Sequence, residues 1–309
     1  MVHGLKFNNG TCLRKELSLK KTYKNKSNRR PLGQHFLEDE SVLRRIADAV
    51  KPAGNLVLEV GPGTGNLTDA LLGQSFEVYA LEFDPQLARR LKKRFKSNKN
   101  AIEKLHIIEG DARTYDLSSV LEDRSYSVVA NLPYYAANPI VRRFLEIKPR
   151  PIDMVIMLQR EVARELVADK GKLSILGISV QIYAEVSFLF DVLPEAFVPP
   201  PAVFSSVVHL RLRPNSLVIE PHLTQFFQLI KGVFKNPRKQ LHNALIAAPW
   251  AGENFGSFEA KSILENAGIH YERRPETLTI SEWIVILEAF IDSGNLVEIL
   301  TDDKNKISK

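Results

Sequence analysis

The sequence predicts an α/β protein with a parallel sheet, followed by a smaller, all-helical C-terminal domain. Between about residues 38 and 213, short apolar runs alternate with helical patterns, which is typical of a parallel sheet covered by helices on both faces. After Pro214, helical patterns follow one another with no strand-like run between them. The expected divisions are a basic tail over 1–30, the sheet domain over 31–213 and the helical domain over 214–309.

Local signals place the individual elements. Asp39 can cap a helix over 40–50, whose apolar residues fall on one face. Pro85 suits the start of a helix that runs to residue 95. The backbone N–H that proline lacks would have no hydrogen-bond partner within the helix in its first turn. Further helices are predicted at 66–72, 139–146, 159–167, 223–234, 238–247, 258–266 and 281–293. Buried strands are predicted at 55–60, 77–81, 105–108, 127–130 and 153–158.

Composition excludes several classes of protein. Hydrophobic residues make up 44% of the chain and charged residues 25%, as in an ordinary globular protein. Cys12 is the single cysteine, which excludes a disulfide framework and a cysteine-based zinc site, and no other metal site is indicated. No apolar run approaches the ~20 residues of a membrane span, and no signal-peptide pattern is seen at the start. A cytoplasmic protein without a membrane partner is expected.

The positive charge is concentrated near the N-terminus. The whole chain carries +6, whereas residues 1–30 hold nine Lys/Arg against one acid and sum to +8, which leaves −2 for 31–309. Such a basic, polar arm is expected to be disordered and suits a polyanion such as nucleic acid. A solvated leader without a partner is an alternative. A transit peptide is a third reading, and it would make the protein organellar.

The first motif is the glycine-rich stretch 61–65, G-P-G-T-G, directly after a predicted strand. Its glycines allow the backbone to approach a ligand closely. The dinucleotide fingerprint G-x-G-x-x-G requires glycine where this chain has Asn66. The turn instead suits the adenosyl and amino-acid parts of S-adenosylmethionine, with Gly61 and Gly63 as binding residues. A purely structural glycine turn is the alternative.

Two acidic residues follow the next two predicted strands. Glu82 lies 21 residues after Gly61, where a carboxylate can accept hydrogen bonds from both ribose hydroxyls. Asp111, in the segment Gly110-Asp111-Ala112, can accept the amino group of adenine. The alternatives are a surface glutamate and a loop or N-cap aspartate.

The fourth motif, Asn131-Leu132-Pro133-Tyr134, follows the fourth predicted strand and indicates methylation of an exocyclic amine. The lone pair of such an amine is delocalised into the ring, so the nitrogen is a poor nucleophile. The Asn131 amide oxygen and a backbone carbonyl near Pro133 can accept hydrogen bonds from the two amine N–H groups and direct the lone pair at the methyl group. Tyr134 offers a ring on which the extruded base can stack. A plain Asn-Pro turn is the alternative.

With these motifs in order, the chain resembles the KsgA family of ribosomal RNA adenine dimethyltransferases. The similarity covers about residues 31 to 290. The matching segments are 33–37 (GQHFL), 59–68, Glu82, 110–111, 131–134, 159–163 (QREVA), 197–201 (FVPPP), 206–208 (SVV), 234–245 and 274–276 (RPE).

The resemblance implies a Rossmann-like class I methyltransferase sheet of seven strands, one of them antiparallel, with a helical C-terminal domain. It implies that Phe197 is a second aromatic residue beside the target base, although a core residue is the alternative. Gly63 and Ala112 belong to the same motifs as two of the implied cofactor contacts. The contacts with S-adenosylmethionine that the resemblance implies are His35, Leu37, Gly61, Glu82, Asp111 and Asn131.

The chain departs from the family pattern at two places. Ala202 and Phe204 stand where the family usually has a lysine and an acid, and Pro237 precedes Arg238 and Lys239 where the family often has another arginine. Both places are expected to affect substrate contacts rather than chemistry. With Lys235, the last two basic residues are candidates for docking on RNA, or else they form a solvated helix end.

The resulting hypothesis is an enzyme of ribosome biogenesis. It would transfer methyl groups from S-adenosylmethionine to two adjacent adenines near the 3′ end of small-subunit rRNA, within a pre-ribosomal particle, as a monomer. The alternatives are a large-subunit rRNA adenine methyltransferase and a non-catalytic nucleic-acid-binding factor on the same fold. A dinucleotide-dependent dehydrogenase is a third alternative, which Asn66 and the Asn131 motif disfavour.

Overall fold

The computed structural model describes residues 35–294, except for 53, 123, 133–135, 170 and 252–254. The predicted tail, residues 33–34 of the first matching segment, and Pro133 and Tyr134 of the fourth motif therefore lie outside the described residues. In the described part of the chain, no helix combines the length and the apolar character needed to cross a membrane.

Nine strands form two sheets in the described residues. A short ribbon pairs β1 with β8 in antiparallel fashion, and the other strands form a seven-stranded sheet. The strands are β1 Phe36–Leu37, β2 Leu56–Val60, β3 Glu77–Glu82, β4 Leu105–Glu109, β5 Ser127–Asn131, β6 Asp153–Gln159, β7 Ala184–Val192, β8 Phe197–Val198 and β9 Ser205–Leu212.

The large sheet has the topology that the resemblance implies. Its order is β4-β3-β2-β5-β6-β9-β7, and the pairs from β4 to β6 are all parallel. β9 runs antiparallel to both of its neighbours, β6 and β7. The predicted α/β class and the single antiparallel strand are therefore confirmed. The five predicted strands correspond to β2 through β6, whereas β7 and β9 had not been placed.

Helices flank the strands and then continue alone after β9. Asp39 caps the first helix by accepting hydrogen bonds from the backbone amides of Ser41 and Val42, and Pro85 opens the third, as predicted. The helices are α1 Glu40–Ala49, α2 Asn66–Gly73, α3 Pro85–Phe95, α4 Lys99–Lys104, α5 Ser118–Leu121, α6 Ala137–Glu146, α7 Arg160–Leu166, α8 Ile175–Gln181, α9 Glu220–Val233, α10 Leu241–Ile246, α11 Ser257–Asn266 and α12 Ile280–Asp292.

Buried side chains form an apolar cluster on each face of the sheet. Leu56 and Leu58 of β2 point into one cluster and Val57 into the other, because successive side chains of a strand alternate between faces. The first cluster continues into the C-terminal helices, where Phe226 and Trp283 are fully buried. Since the two regions share this core, the boundary between 213 and 214 stays a prediction.

The parallel strands bring the predicted motifs to one edge of the sheet. β2, β3, β4 and β5 all end at that edge, and each of the four motifs lies at the end of one of these strands or directly after it. The carboxyl edge of an open α/β sheet is where ligands usually bind. The fold thus assembles in space what the sequence separates by up to 70 residues, from Gly61 to Asn131.

Candidate active site

The glycine turn after β2 depends on glycine at each of its three positions. Gly61, Gly63 and Gly65 have φ of 72°, 56° and 86°, in the left-handed region that other residues rarely adopt. A Cβ on Gly65 would lie 2.5 Å from Leu91 Cδ1, and one on Gly63 would lie 3.2 Å from the ring of Phe36. A Cβ on Gly61 would meet nothing within 4 Å, so a ligand can approach the backbone there.

Glu82 is held against this turn by backbone amides. Its side chain is buried, with Oε2 accepting from the Gly63 N–H at 3.0 Å and Oε1 accepting from the Asp84 N–H at 2.8 Å. A carboxylate offers about four acceptor positions, so each oxygen retains one for a further donor. The carboxylate is therefore oriented before any ligand binds, as recognition of two neighbouring hydroxyls requires.

Asn66 fastens the β1–β8 ribbon to the glycine turn. Its Nδ2 donates to the Leu37 carbonyl at 3.0 Å, and His35 Nδ1 lies 2.6 Å from the carbonyl oxygen of Pro199. The residue that breaks the dinucleotide fingerprint thus holds Leu37, whereas the Pro199 carbonyl holds His35. Leu37 as a whole is buried and its carbonyl is engaged by Asn66, so its contact with the cofactor stays a prediction.

Phe197 lies in the apolar core. Its side chain is 3% exposed, and its backbone pairs with Leu37 across the ribbon. A ring in this position has no open face for a base, which agrees with the core alternative. Contact with the target base would require the ribbon to move, and that role stays a prediction.

Asp111 is already engaged by a neighbouring arginine. Arg113 Nε lies 3.0 Å from both carboxylate oxygens, and its Nη2 donates to Oδ2 at 2.6 Å. This guanidinium is the main cause of the lowered pKa of Asp111, so the carboxylate is ionised at neutral pH. Arg143 of α6 holds the same loop by donating to the Ala112 carbonyl at 2.5 Å. An adenine amino group would therefore share the Asp111 carboxylate with Arg113.

Asn131 is the last residue of β5 and lies beside Met157 of β6. It is partly exposed, and within the described residues its side-chain amide makes no hydrogen bond. Leu132 is buried, and its N–H lies 3.4 Å from the Met157 carbonyl. The Asn131 amide, which the sequence predicts to bind the exocyclic amine of the target base, is thus available at the carboxyl edge. Its backbone is fixed by the neighbouring strand.

Glu59 is an acidic residue of the site to which the sequence analysis gave no role. It lies on β2 two residues before Gly61, is 1% exposed, and accepts a hydrogen bond from the Thr68 hydroxyl at 2.6 Å. Burial raises its pKa to about 8, and the nearby charge of Glu82 adds to the effect. An acid inside an otherwise apolar strand was the signal that could have found it.

Glu59→Gln is expected to flatten the pH dependence of stability. Between pH 4.5 and 8 the folded protein holds a proton on Glu59 that the unfolded chain has released, so stability falls as pH rises. The expected loss between pH 5 and 6.5 is about 2 kcal/mol, and glutamine keeps an acceptor for Thr68. Urea unfolding of both proteins without cofactor would measure it. An equal pH slope in the variant contradicts the prediction.

Phe83 is a further residue that the sequence analysis missed. It follows Glu82 directly, and its side chain is 66% exposed. An exposed ring beside a ribose-binding carboxylate offers a flat apolar surface for a purine. The sequence feature that could have identified it is an aromatic residue directly after the acid at the end of a strand.

The three basic candidates lie together on the connection between α9 and α10. Lys235, Arg238 and Lys239 are all exposed there. The predicted helix 238–247 was wrong at its start, because α10 begins at Leu241 and Arg238 and Lys239 belong to the preceding turn.

A cleft of about 1370 Å³ borders this turn at Phe234 and Pro237. Its other wall includes Asn138 and Pro139 at the start of α6, the helix that follows the Asn131 motif. The cleft is therefore lined both by residues of this turn and by the first turn of α6.

Comparison with known proteins agrees with this geometry. The family model described as ribosomal RNA adenine dimethylase matches residues 25–285. Ribosomal RNA small subunit methyltransferase A of Dehalococcoides mccartyi (strain CBDB1) is 38% identical over 258 residues, which cover 82% of this chain and 86% of the relative. The protein of the same name from Coxiella burnetii (strain Dugway 5J108-111) is 34% identical, covering 84% of this chain and 96% of the relative.

Two solved structures share the fold. A dimethyladenosine transferase from Plasmodium falciparum superposes with a TM-score of 0.71 and 26% identity, covering 84% of this chain and 98% of that one. The 23S rRNA methyltransferase ErmE gives a TM-score of 0.64 at 24% identity, with 82% and 98% covered. Since the family model spans most of the chain and the relatives match over more than four-fifths of it, this protein belongs to the ribosomal RNA adenine dimethylase family.

Proposed function

We propose that this protein transfers methyl groups from S-adenosylmethionine to the exocyclic amines of two adjacent adenosines near the 3′ end of small-subunit rRNA. The observation that carries the proposal is the Asn131 amide, which makes no hydrogen bond within the part of the chain that the structure describes and lies at the same sheet edge as the preoriented Glu82 carboxylate. The protein acts in the cytoplasm, as a monomer, on a pre-ribosomal particle.

The residues at the sheet edge fit S-adenosylmethionine. Gly61 leaves open space where the cofactor can approach the protein backbone, and Glu82 keeps acceptor positions for both ribose hydroxyls. Asp111 accepts the adenine amino group, and Phe83 lies against the ring. When bound, the cofactor supplies an electrophilic methyl group on a sulfonium. The remaining binding residues are His35, Leu37, Gly63, Ala112 and Asn131.

The chemistry assigned to the protein is positioning rather than proton abstraction. The Asn131 oxygen and a backbone carbonyl near Pro133 accept hydrogen bonds from the two amine N–H groups, which localises the nitrogen lone pair. Tyr134 stacks on the base and holds it at the site. Because alignment and hydrogen bonding carry the reaction, no side chain has to act as a general base.

RNA docking is assigned to the helical region over 214–309, while the region over 31–213 performs the transfer. The basic turn with Lys235, Arg238 and Lys239 is exposed and borders the cleft. Such cations neutralise phosphates and position the RNA without reading its sequence.

Arg238→Glu with Lys239→Glu is expected to weaken binding to small subunits and to flatten its salt dependence. Each lost phosphate contact lowers the log–log slope by ~0.7–0.9. Binding measured over a series of salt concentrations gives this slope. Cofactor affinity is expected to stay unchanged.

Lys96→Glu with Lys99→Glu provides the matched control, since both lysines are exposed, Lys96 directly follows α3 and Lys99 begins α4, and the charge change is the same. This control is expected to retain the wild-type slope. If both double variants reduce the slope equally, general charge and not the basic turn governs docking.

The proposed function is tested by incubating the protein with labelled S-adenosylmethionine and unmethylated small subunits, and then mapping the labelled nucleotides. Label on two adjacent adenosines near the 3′ end of the rRNA is expected. Label on large-subunit rRNA, or tight RNA binding without any transfer, would contradict the proposal.

A further inference from the structure

Arg160 and Phe204 form a stacked pair at the carboxyl edge of the sheet. The guanidinium carbon of Arg160 lies 4.3 Å from the centroid of the Phe204 ring. The backbone N–H of Arg160 also donates to the Phe204 carbonyl at 3.0 Å. Both residues are therefore fixed at the point where β6 passes into α7 and β9 begins.

The sheet register places this pair close to Asn131. Asn131 lies beside Met157 of β6, and Gln159 at the end of β6 lies beside Ser205 of β9. Arg160 is thus one strand away from Asn131 and three residues further along, a displacement of roughly 10 Å at the usual strand rise and spacing. That separation suits the nucleotide next to the one held at Asn131.

The pair has binding capacity that the described residues leave unused. Arg160 Nε is buried and lacks a hydrogen-bond partner among the described residues, while 27% of the arginine side chain is exposed and can be reached by a phosphate. The nearest recorded acid, Glu161, is 4.0 Å from this atom and 65% exposed, so it gives little compensation. Phe204 is 37% exposed, although its other surface stacks on the arginine. The Arg160 cation can pair with a phosphate, and the open face of the Phe204 ring can stack on a base.

We propose that Arg160 and Phe204 bind the nucleotide adjoining the adenosine that is methylated at Asn131. The inference rests on the proposed function. Phe204 stacks on the base of the adjoining nucleotide, and Arg160 donates to its phosphate. Aromatic stacking with support from arginine is the usual way to hold single-stranded RNA.

The test compares methylation of unmethylated small subunits by the wild-type protein and by Phe204→Leu, which keeps an apolar side chain but removes the ring. The KM for subunits is expected to rise about tenfold, with kcat and S-adenosylmethionine affinity unchanged. Phe204→Tyr is expected to restore the wild-type KM. Arg160→Gln is expected to raise the KM and to lower the salt slope by ~0.7–0.9.

Phe190→Leu is the matched control, because Phe190 takes part in another cation–π pair, with Arg45 at 3.7 Å, on the outer strand β7. It is expected to leave the KM unchanged. A wild-type KM for Phe204→Leu and an unaltered salt slope for Arg160→Gln would overturn the subsite while the proposed function stands. Absence of adenosine methylation by the wild-type protein would instead overturn the proposed function.

Discussion

Asn131→Ala is expected to lower the rate of methyl transfer about 100-fold or more, the usual effect of removing one positioned partner of a transition state. The side chain lies at the end of β5, and within the described residues its truncation breaks no hydrogen bond. The loss should therefore appear in chemistry rather than in folding. Single-turnover kinetics with saturating cofactor and small subunits measure the rate directly.

Asn131→Asp serves as the control for this experiment. Aspartate keeps an oxygen acceptor at the same position, so its rate should lie between those of wild type and Asn131→Ala. RNA affinity should be unchanged in both variants, since phosphate contacts are assigned elsewhere. Normal substrate binding together with a wild-type single-turnover rate in Asn131→Ala would remove Asn131 from the mechanism.

Local signals in the sequence were sufficient for the first half of the sheet. Strands β2 to β6 are short apolar runs bounded by turns, and the Asp39 and Pro85 signals lie at true helix starts. β7 and β9 were not predicted because their positions depend on antiparallel pairing with distant segments. β9 lies between β6 and β7, and β7 forms the edge of the sheet. Strand preference depends on such neighbours, which a local window does not contain.

The sequence predicted which motifs meet at the site, but not which side chains contact one another there. Motifs at successive strand ends must meet at one edge of a parallel sheet, which is why Gly61, Glu82, Asp111 and Asn131 could be grouped. The side-chain partners could not be read in this way. The bond from Asn66 to the Leu37 carbonyl spans 29 residues, and burial of Phe197 follows from the pairing of β1 with β8.

The geometry of Glu82 separates two contributions to cofactor binding. Its oxygens accept the N–H groups of Gly63 and Asp84, so the carboxylate both holds the turn and offers acceptors to the ribose. Glu82→Ala removes both contributions. Glu82→Gln retains one oxygen acceptor and nearly the same shape, and it is expected to fall between alanine and wild type.

Glu82→Ala is expected to weaken S-adenosylmethionine binding by about 2–4 kcal/mol, or roughly 30- to 1000-fold, because two hydrogen bonds to a charged acceptor are lost. Titration calorimetry on the folded variant measures the affinity. Glu109→Ala is the control, since Glu109 lies beside Glu82 at the end of β4 but is exposed and pairs with Lys92 at 3.1 Å. Its cofactor affinity should equal that of wild type. Unchanged affinity in a folded Glu82→Ala would instead show that the ribose binds elsewhere, because no other carboxylate among the described residues is held by the glycine turn.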